Sequence, residues 1–258
     1  MRFDALALAV SPTAKAQQAA EIVENSHDWV PLEEAEAVVV LGGDGFMLQT
    51  LHQMLDSGRV IPAYGLNLGT VGFLMNVFKN GRDIFERVRN ANRFSFAPLE
   101  MTATMRDGSV ETVCAINEVS LLRETRQTAK IQVEVNGRIR IPELACDGVL
   151  VATPAGSTAY NYSANGPILP LDSQVLALTP ISPFRPRRWR GAILPDRSRI
   201  SFRVLEPDKR PVAAVADQRE FRDIKEVCTE ICRGKALTLL YDPGHSLDER
   251  IVAEQFIV

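Results

Sequence analysis

Ala37-Val38-Val39-Val40-Leu41-Gly42-Gly43-Asp44-Gly45-Phe46-Met47 is the stretch on which the fold turns. Its first five residues are continuously apolar, the pattern of a strand buried on both faces. Glycines end the run, and Phe46 to Leu55 continues with helical spacing. The same alternation extends outward. Phe3 to Val10 reads as a strand, and Thr13 to Glu24, rich in Ala and Gln, as a helix. Ile61 to Leu66 is another strand, and Asp83 to Asn90 an amphipathic helix. Strand, helix, strand in this rhythm implies parallel strands joined by crossover helices.

The texture changes near Pro98. Leu99 to Met105 and Ser109 to Leu122 read as strands around Asp107-Gly108, a hairpin signal. Ile131 to Val135 and Arg138 to Ile141 flank a stronger one, Asn136-Gly137. Asp147 to Thr153, Arg199 to Val204 and Pro211 to Ala216 add short strands. This middle section is mostly β and needs a second core, so a sandwich-like domain is expected. Ala236 to Tyr241 is a further strand, and Ser246 to Phe256 reads as a helix with Ser246 and Glu249 spaced as a capping box. The chain thus closes in α/β texture, which suggests a tail returning to the first domain.

With 258 residues, 46% of them apolar and 24% charged, the chain can bury a real core. A formal net charge of −3 gives no reason to expect nucleic acid or an anionic membrane as partner. No run of 18 apolar residues stands in the sequence, and the start, Met1 to Leu6, reads as the first strand of the fold rather than a signal peptide. Cys114, Cys146, Cys228 and Cys232 form no CxxC pair and have no His at zinc-ligand spacing. Free thiols in a reducing cytoplasm are the expectation.

The chemistry starts at the glycine loop. Glycines let the backbone turn sharply and approach a ligand closely. The helix behind them offers free N–H groups and the positive end of its dipole, which suits an anion. A carboxylate repels phosphate, so Asp44 needs an explanation. It fits if Asp44 meets a hydroxyl or a magnesium ion, since in phosphoryl transfer an Asp can accept the attacking hydroxyl's proton. The bland alternative is a tight turn in which Asp44 caps the helix. A second glycine-rich turn, Asn67-Leu68-Gly69-Thr70-Val71-Gly72-Phe73-Leu74, follows the next strand. Loops at the carboxyl ends of parallel strands line one crevice, so both turns belong there.

In the β section, Asn117-Glu118 interrupts an apolar run and is awkward to bury without partners. The richest segment runs from Asp147 to Ser163, opening as a strand and becoming a turn of small and hydroxylated residues. Ser157, Thr158, Asn161 and Ser163 supply donors and acceptors, and Tyr160 an aromatic body suited to a flat base. The run Arg185-Pro186-Arg187-Arg188-Trp189-Arg190 could grip phosphate, or simply be solvated or paired with acids.

Taken together, Gly42-Gly43-Asp44-Gly45, Asn67-Leu68-Gly69 with Gly72-Phe73-Leu74, Asn117-Glu118, and Asp147 through Gly156-Ser157-Thr158-Ala159-Tyr160 to Gly166-Pro167-Ile168 resemble the NAD kinases, also called ATP-NAD kinases. The resemblance implies a Rossmann-like α/β domain over 1–97, a β-sandwich dinucleotide-binding domain over 98–235, and a segment, 236–258, that returns to the first domain. It implies a cleft for NAD and a homo-oligomer, commonly a dimer or tetramer. Asp44 matches the family's catalytic aspartate, which would take the proton of the adenosine 2′-hydroxyl as that oxygen attacks the γ-phosphate of ATP. Gly42, Gly43 and Gly45 would form the donor-side loop, with Gly45 also against NAD. Phe73 would be an apolar wall. Asn117, Glu118, Asp147, Ala155, Thr158, Ala159, Tyr160, Asn161, Tyr162 and Ser163 would surround the dinucleotide. Mg2+ would arrive with the nucleotide, and no dedicated metal cage is implied.

Some positions depart from the family. Phe46 replaces a usual Thr, Gln49 a frequent basic residue, and Asp217-Gln218-Arg219 the common Asp-Gly-Gln, so Asp217 receives no role. Phe184 to Arg190 is also atypical. The rival readings are a lipid or sugar kinase sharing the first loop, which leaves the Gly156–Tyr160 block unexplained, and a non-catalytic NAD-binding regulator, against which Asp44 argues.

Overall fold

The computed structural model describes residues 3–25, 27–70, 72–79 and 83–244. Val71 and the helix expected over Ser246–Phe256, with its capping box, lie outside these residues. In chain order the elements are β1 (Leu6–Val10), α1 (Ala14–Glu24), β2 (Ala37–Gly42), α2 (Asp44–Ser57), β3 (Ala63–Asn67), β4 (Asn76–Val77), α3 (Ile84–Asn90) and β5 (Asn92–Phe96). Then follow β6 (Leu99–Met105), β7 (Val110–Ala115), β8 (Glu118–Arg123), β9 (Ala129–Val135), β10 (Arg138–Cys146), β11 (Gly148–Ala152), α4 (Tyr160–Ser163) and β12 (Val175–Ile181). The chain continues through β13 (Ala192–Pro195), β14 (Ile200–Val204), β15 (Val212–Ala216), β16 (Arg219–Phe221), β17 (Ile224–Ile231) and β18 (Leu237–Tyr241).

Two compact units divide at Phe96/Ala97 and again at Gly234/Lys235. The first holds a sheet of order β1-β2-β3-β18-β5, with β4 added beside β3. β1, β2, β3 and β18 pair in parallel, as the strand–helix rhythm requires, and only β5 runs antiparallel, against β18. All six residues of β2 are buried, because helices cover both faces of a parallel sheet. One face packs Ala19, Ala20 and Val23 of α1 and Ile84 and Val88 of α3 onto Leu6, Val39, Leu41 and Leu66. Asp83 caps α3 with its carboxylate, accepting the Phe85 and Glu86 N–H groups.

The second unit is a sandwich of two antiparallel six-stranded sheets, ordered β10-β9-β14-β17-β6-β7 and β13-β12-β11-β8-β15-β16. Their inner faces build one core in which Leu99, Met101, Ile131, Val133 and Phe202 meet Val119, Leu121, Val149, Val151 and Leu178. The apolar residues alternate along β6 and β9, the period-two signature of a half-covered strand. β11 differs, being buried throughout. Its outer face, Leu150 and Ala152, together with Ala177 of the neighbouring strand β12, is covered by Leu169, Tyr160 and Ala164. The turn after β11 therefore folds back over that strand, which carries Tyr160 toward the strand's opposite end.

The apolar run read as one strand from Ser109 to Leu122 is two. β7 belongs to one sheet and β8 to the other, and the chain crosses between them at Ile116 and Asn117. The interruption at Asn117-Glu118 is the residue-level trace of that crossing. β12 and β17, rich in β-branched residues, complete the two sheets.

Candidate active site

In the first unit, β2 ends at Gly42 and α2 begins at Asp44, so Asp44 and Gly45 form the helix's first turn. The second glycine turn lies alongside. The Leu68 N–H donates to the Gly42 carbonyl at 2.7 Å, and a Cβ on Gly69 would sit 3.7 Å from the Gly43 Cα. Asn67 shapes this turn by accepting the Gly69 N–H at 2.9 Å. Gly72 is confined to glycine twice over. Its φ is +80°, and a Cβ there would lie 2.4 Å from the Asn67 amide nitrogen.

The second turn presents two N–H groups to the first. Phe73 N donates to Asp44 Oδ2 and Leu74 N to Asp44 Oδ1, each at 2.8 Å. Charge-assisted bonds of this kind are among the stronger ones. They fix both oxygens of a half-buried carboxylate at the carboxyl end of a central strand. Each oxygen keeps a second lone pair able to accept a proton or a hydroxyl hydrogen. Phe73 thus acts here through its backbone. Gly45 is exposed, and a Cβ there would meet nothing within 4 Å.

In the second unit a separate framework forms. The Asp217 carboxylate accepts three backbone N–H groups, from Ile116 at 2.6 Å, Asn117 at 2.9 Å and Glu118 at 3.2 Å. Asp217 holds φ +51° in the turn between β15 and β16, a conformation Asp tolerates better than most residues. Its Asp identity was the only local signal; the role is not written nearby, because its partners stand a hundred residues earlier in the chain. Thr153 pins the same segment from the other side, donating its hydroxyl to the Ile116 carbonyl at 2.7 Å and its N–H to the Asn117 carbonyl at 2.9 Å. Gly156 packs directly on the Asn117 peptide, and a Cβ would approach the Asn117 oxygen to 2.2 Å.

The polar residues of the 153–163 turn divide into two sets. Ser157 and Asn161 are fully buried. Ser157 Oγ donates to the Pro154 carbonyl at 2.8 Å and accepts the Leu169 N–H at 3.0 Å. The Asn161 amide donates to the Ser157 and Pro167 carbonyls at 3.0 and 2.8 Å and accepts the Thr179 hydroxyl at 2.7 Å. Both side chains are taken up in holding the turn. Ala155, Thr158, Ala159 and Tyr160 are half-buried, and Tyr162 and Ser163 are exposed.

Tyr160 and Asp147 come together although they sit at opposite ends of β11 and its turn. With Leu122, Arg123, Glu124, Thr125, Arg126 and Ile181 they line an open hollow of about 550 Å³. Asp147 pairs with Arg123 at 2.6 Å. Glu118 stands apart electrically. Burial, then the nearby Asp217 carboxylate, push its acid up to about 8, with the Tyr160 N–H working the other way. Its Oε2 has no hydrogen-bond partner among the described residues. Burial also raises the Tyr160 phenol, reinforced by the charges of Glu118 and Asp147.

Among the described residues no three His, Cys, Asp or Glu side chains are grouped to hold a metal ion. The four cysteines are free thiols, two buried and two half-buried. In the basic run, Arg185 and Arg187 lie against the Phe184 ring at 5.6 and 5.2 Å.

Comparison with known proteins adds a separate line of observation. Residues 6–92 match the model of the ATP-NAD kinase N-terminal domain and residues 116–241 that of the ATP-NAD kinase C-terminal domain. A Rhizorhabdus wittichii protein named NAD kinase is 61% identical over 254 residues, spanning 98% of both chains. One of the same name from Zymomonas mobilis is 58% identical over 256 residues, spanning 99% of both. The fold matches that of yeast NADH kinase complexed with NADH, with a TM-score of 0.81 at 22% identity over 98% of this chain and 87% of that one. It also matches an Archaeoglobus fulgidus NAD kinase in complex with ATP, with a TM-score of 0.77 at 23% identity over 98% of both chains.

Proposed function

The chain belongs to the ATP-NAD kinase family, and from that premise we propose that Asp44 is the general base of an NAD 2′-kinase. The activity is transfer of a phosphoryl group to NAD, giving NADP. The single observation that carries the role of Asp44 is its carboxylate, fixed on both oxygens by the Phe73 and Leu74 N–H groups with lone pairs left open. The 2′-oxygen of the adenosine ribose attacks the γ-phosphorus of ATP, its proton passes to Asp44, and ADP departs. Gly43 and Gly45 leave room for phosphate oxygens beside the start of α2, whereas Gly42 is buried and packs against Phe46 and Ser11, so it serves by letting the strand turn. Mg2+ enters as part of the triphosphate substrate and offsets its charge.

Asn117, Glu118, Asp147 and the turn from Ala155 to Ser163 bind the dinucleotide in this reading. Support comes from the framework that Asp217, Thr153 and Gly156 build around Asn117, and from the open hollow beside Tyr160. Asn161 serves by holding the turn, and Tyr162 and Ser163 by their exposed polar groups. The lipid or sugar kinase and the inert regulator are not favoured. The protein acts in the reducing cytoplasm as a homo-oligomer, a dimer or tetramer. Light scattering on the purified chain checks the last point.

The test is NADP formation by the purified protein with ATP, other triphosphates or polyphosphate as donor and NAD or NADH as acceptor. Asp44→Asn should retain NAD binding and lose about 10² to 10⁴ in kcat, the usual worth of a general base. An unchanged kcat would remove Asp44 from the mechanism.

A further inference from the structure

Behind Asp44 the first unit buries a charged cluster that phosphoryl transfer does not itself call for. Arg87 of α3 is buried. Its Nη2 lies 2.5 Å from Asp242 Oδ2 and 2.9 Å from the Val77 carbonyl, and its Nε 3.3 Å from Asp242 Oδ1. The same Oδ1 accepts the Tyr64 hydroxyl at 2.6 Å. Burial and that bond hold the Tyr64 phenol well above its ordinary range, so it stays a donor. The Asp242 N–H in turn donates to Asn76 Oδ1 at 2.8 Å. Asn76, fully buried, spends its amide nitrogen on the carbonyls of Gly65 and Leu240 at 3.1 and 2.9 Å.

The short strand β4 is therefore fastened from three directions, by β3, by the end of β18 and by α3. Two and three residues before Asn76 stand the N–H groups that grip Asp44. The Tyr241 hydroxyl also reaches the Phe73 carbonyl, at 3.5 Å. A buried ion pair adds little net stability over well-packed apolar residues, because desolvating two charges cancels most of their attraction. What such a cluster does supply is direction, since each bond restricts one atom's position. A general base needs that, because misplacement by about 1 Å can cost on the order of a hundredfold in rate.

We propose that Asn76, Arg87, Asp242 and Tyr241 are positioning residues for Asp44. They hold the Phe73–Leu74 backbone where its two N–H groups aim the carboxylate. The proposal rests on Asp44 being the general base.

The test measures steady-state NADP formation by the full chain carrying Asp242→Asn or Tyr241→Phe, each alone and combined with Asp44→Asn. Asp242→Asn should lower kcat about tenfold, and Tyr241→Phe, which deletes one hydroxyl, about threefold, each with KM for NAD within about twofold. Neither should slow the residual rate of Asp44→Asn further, because residues acting through one group are not additive with its removal. A loss of equal size in both backgrounds overturns the proposal, as does an unaltered kcat in the single variants. Where Asp242→Asn does not fold, Tyr241→Phe decides alone. Full activity of Asp44→Asn by itself would instead overturn the reading of Asp44, so the two failures are distinguishable.

Discussion

The turn that carries Asp44 and the turn that carries Tyr160 are both glycine-bearing, and they are built by opposite means. Around Asp44 the backbone holds the side chain: two N–H groups grip one carboxylate. In the 153–163 turn the side chains hold the backbone: Ser157, Asn161 and Thr153 bond carbonyls and N–H groups, and Asp217 clamps the neighbouring segment. A reacting group and a shaped surface make different demands. On the proposal that Asp44 is the base, its carboxylate must be rigid yet keep lone pairs free, and N–H donors meet both needs. On the proposal that the other turn binds the dinucleotide, it must keep its outline, so some of its polar residues are spent inward.

Substitutions can break this contrast. Asp44→Asn carries the largest expected effect, and it falls on rate. The amide keeps one of the two acceptances, so unfolding free energy should drop only about 1–2 kcal/mol, against a rate loss of about 3–5 kcal/mol in activation free energy. Parallel urea unfolding and kinetics check the ratio. A stability loss as large as the rate loss would make Asp44 a scaffold residue like those of the other turn.

Gly156→Ala should do the reverse. Its Cβ would meet the Asn117 backbone at 2.2 to 2.4 Å, which must shift, at a cost of about 2–4 kcal/mol. NAD affinity should fall with it, measured by calorimetry beside urea unfolding. Asn161→Ala leaves the Ser157 and Pro167 carbonyls and the Thr179 hydroxyl without their partner, and should cost about 2–3 kcal/mol. Intact stability in that variant would show that the amide does not hold the turn.

Glu118 sharpens the comparison through pH. Its folded-state acid is raised from 4.5 to about 8, so the folded chain holds that proton more tightly than the unfolded one. The resulting stability is full below the unfolded value and is lost as pH rises through about 8. Thermal midpoints should therefore fall by several degrees between about pH 5.5 and 8.5, and Glu118→Gln should flatten that slope. An equal slope in both proteins would remove Glu118 as its source. The smallest effect belongs to Gly45→Ala. It is exposed with open space around it, so stability should change by no more than about 0.5 kcal/mol, and any loss of kcat then reports contact with substrate.

Much of the fold was legible because its signals are local. A continuous apolar run reads as a doubly buried strand, and β2 is one. Alternation reads as a half-covered strand, and β6 and β9 are such strands. The Asp44 turn and the polar segment after β11 also stood out by composition, since glycine and small hydroxylated residues mark places where the backbone must bend or come close. Less legible was which side chains of a polar segment face outward. Ser157, Thr158, Asn161 and Ser163 look equivalent in a string of letters, yet Ser157 and Asn161 point inward.

By itself, then, the order of residues determined the parallel and antiparallel sheets, the two glycine turns and Asp44 as the candidate base, because periodicity and backbone freedom are properties of neighbours in sequence. Tertiary structure alone decided that Asp217 clamps Asn117 and Glu118, that Asp242 and Arg87 brace the strand behind Asp44, and that the run from Ser109 to Leu122 splits between two sheets. Those outcomes depend on partners tens to a hundred or more residues apart, and a hydrogen bond recognises distance in space, of which distance along the chain carries no record.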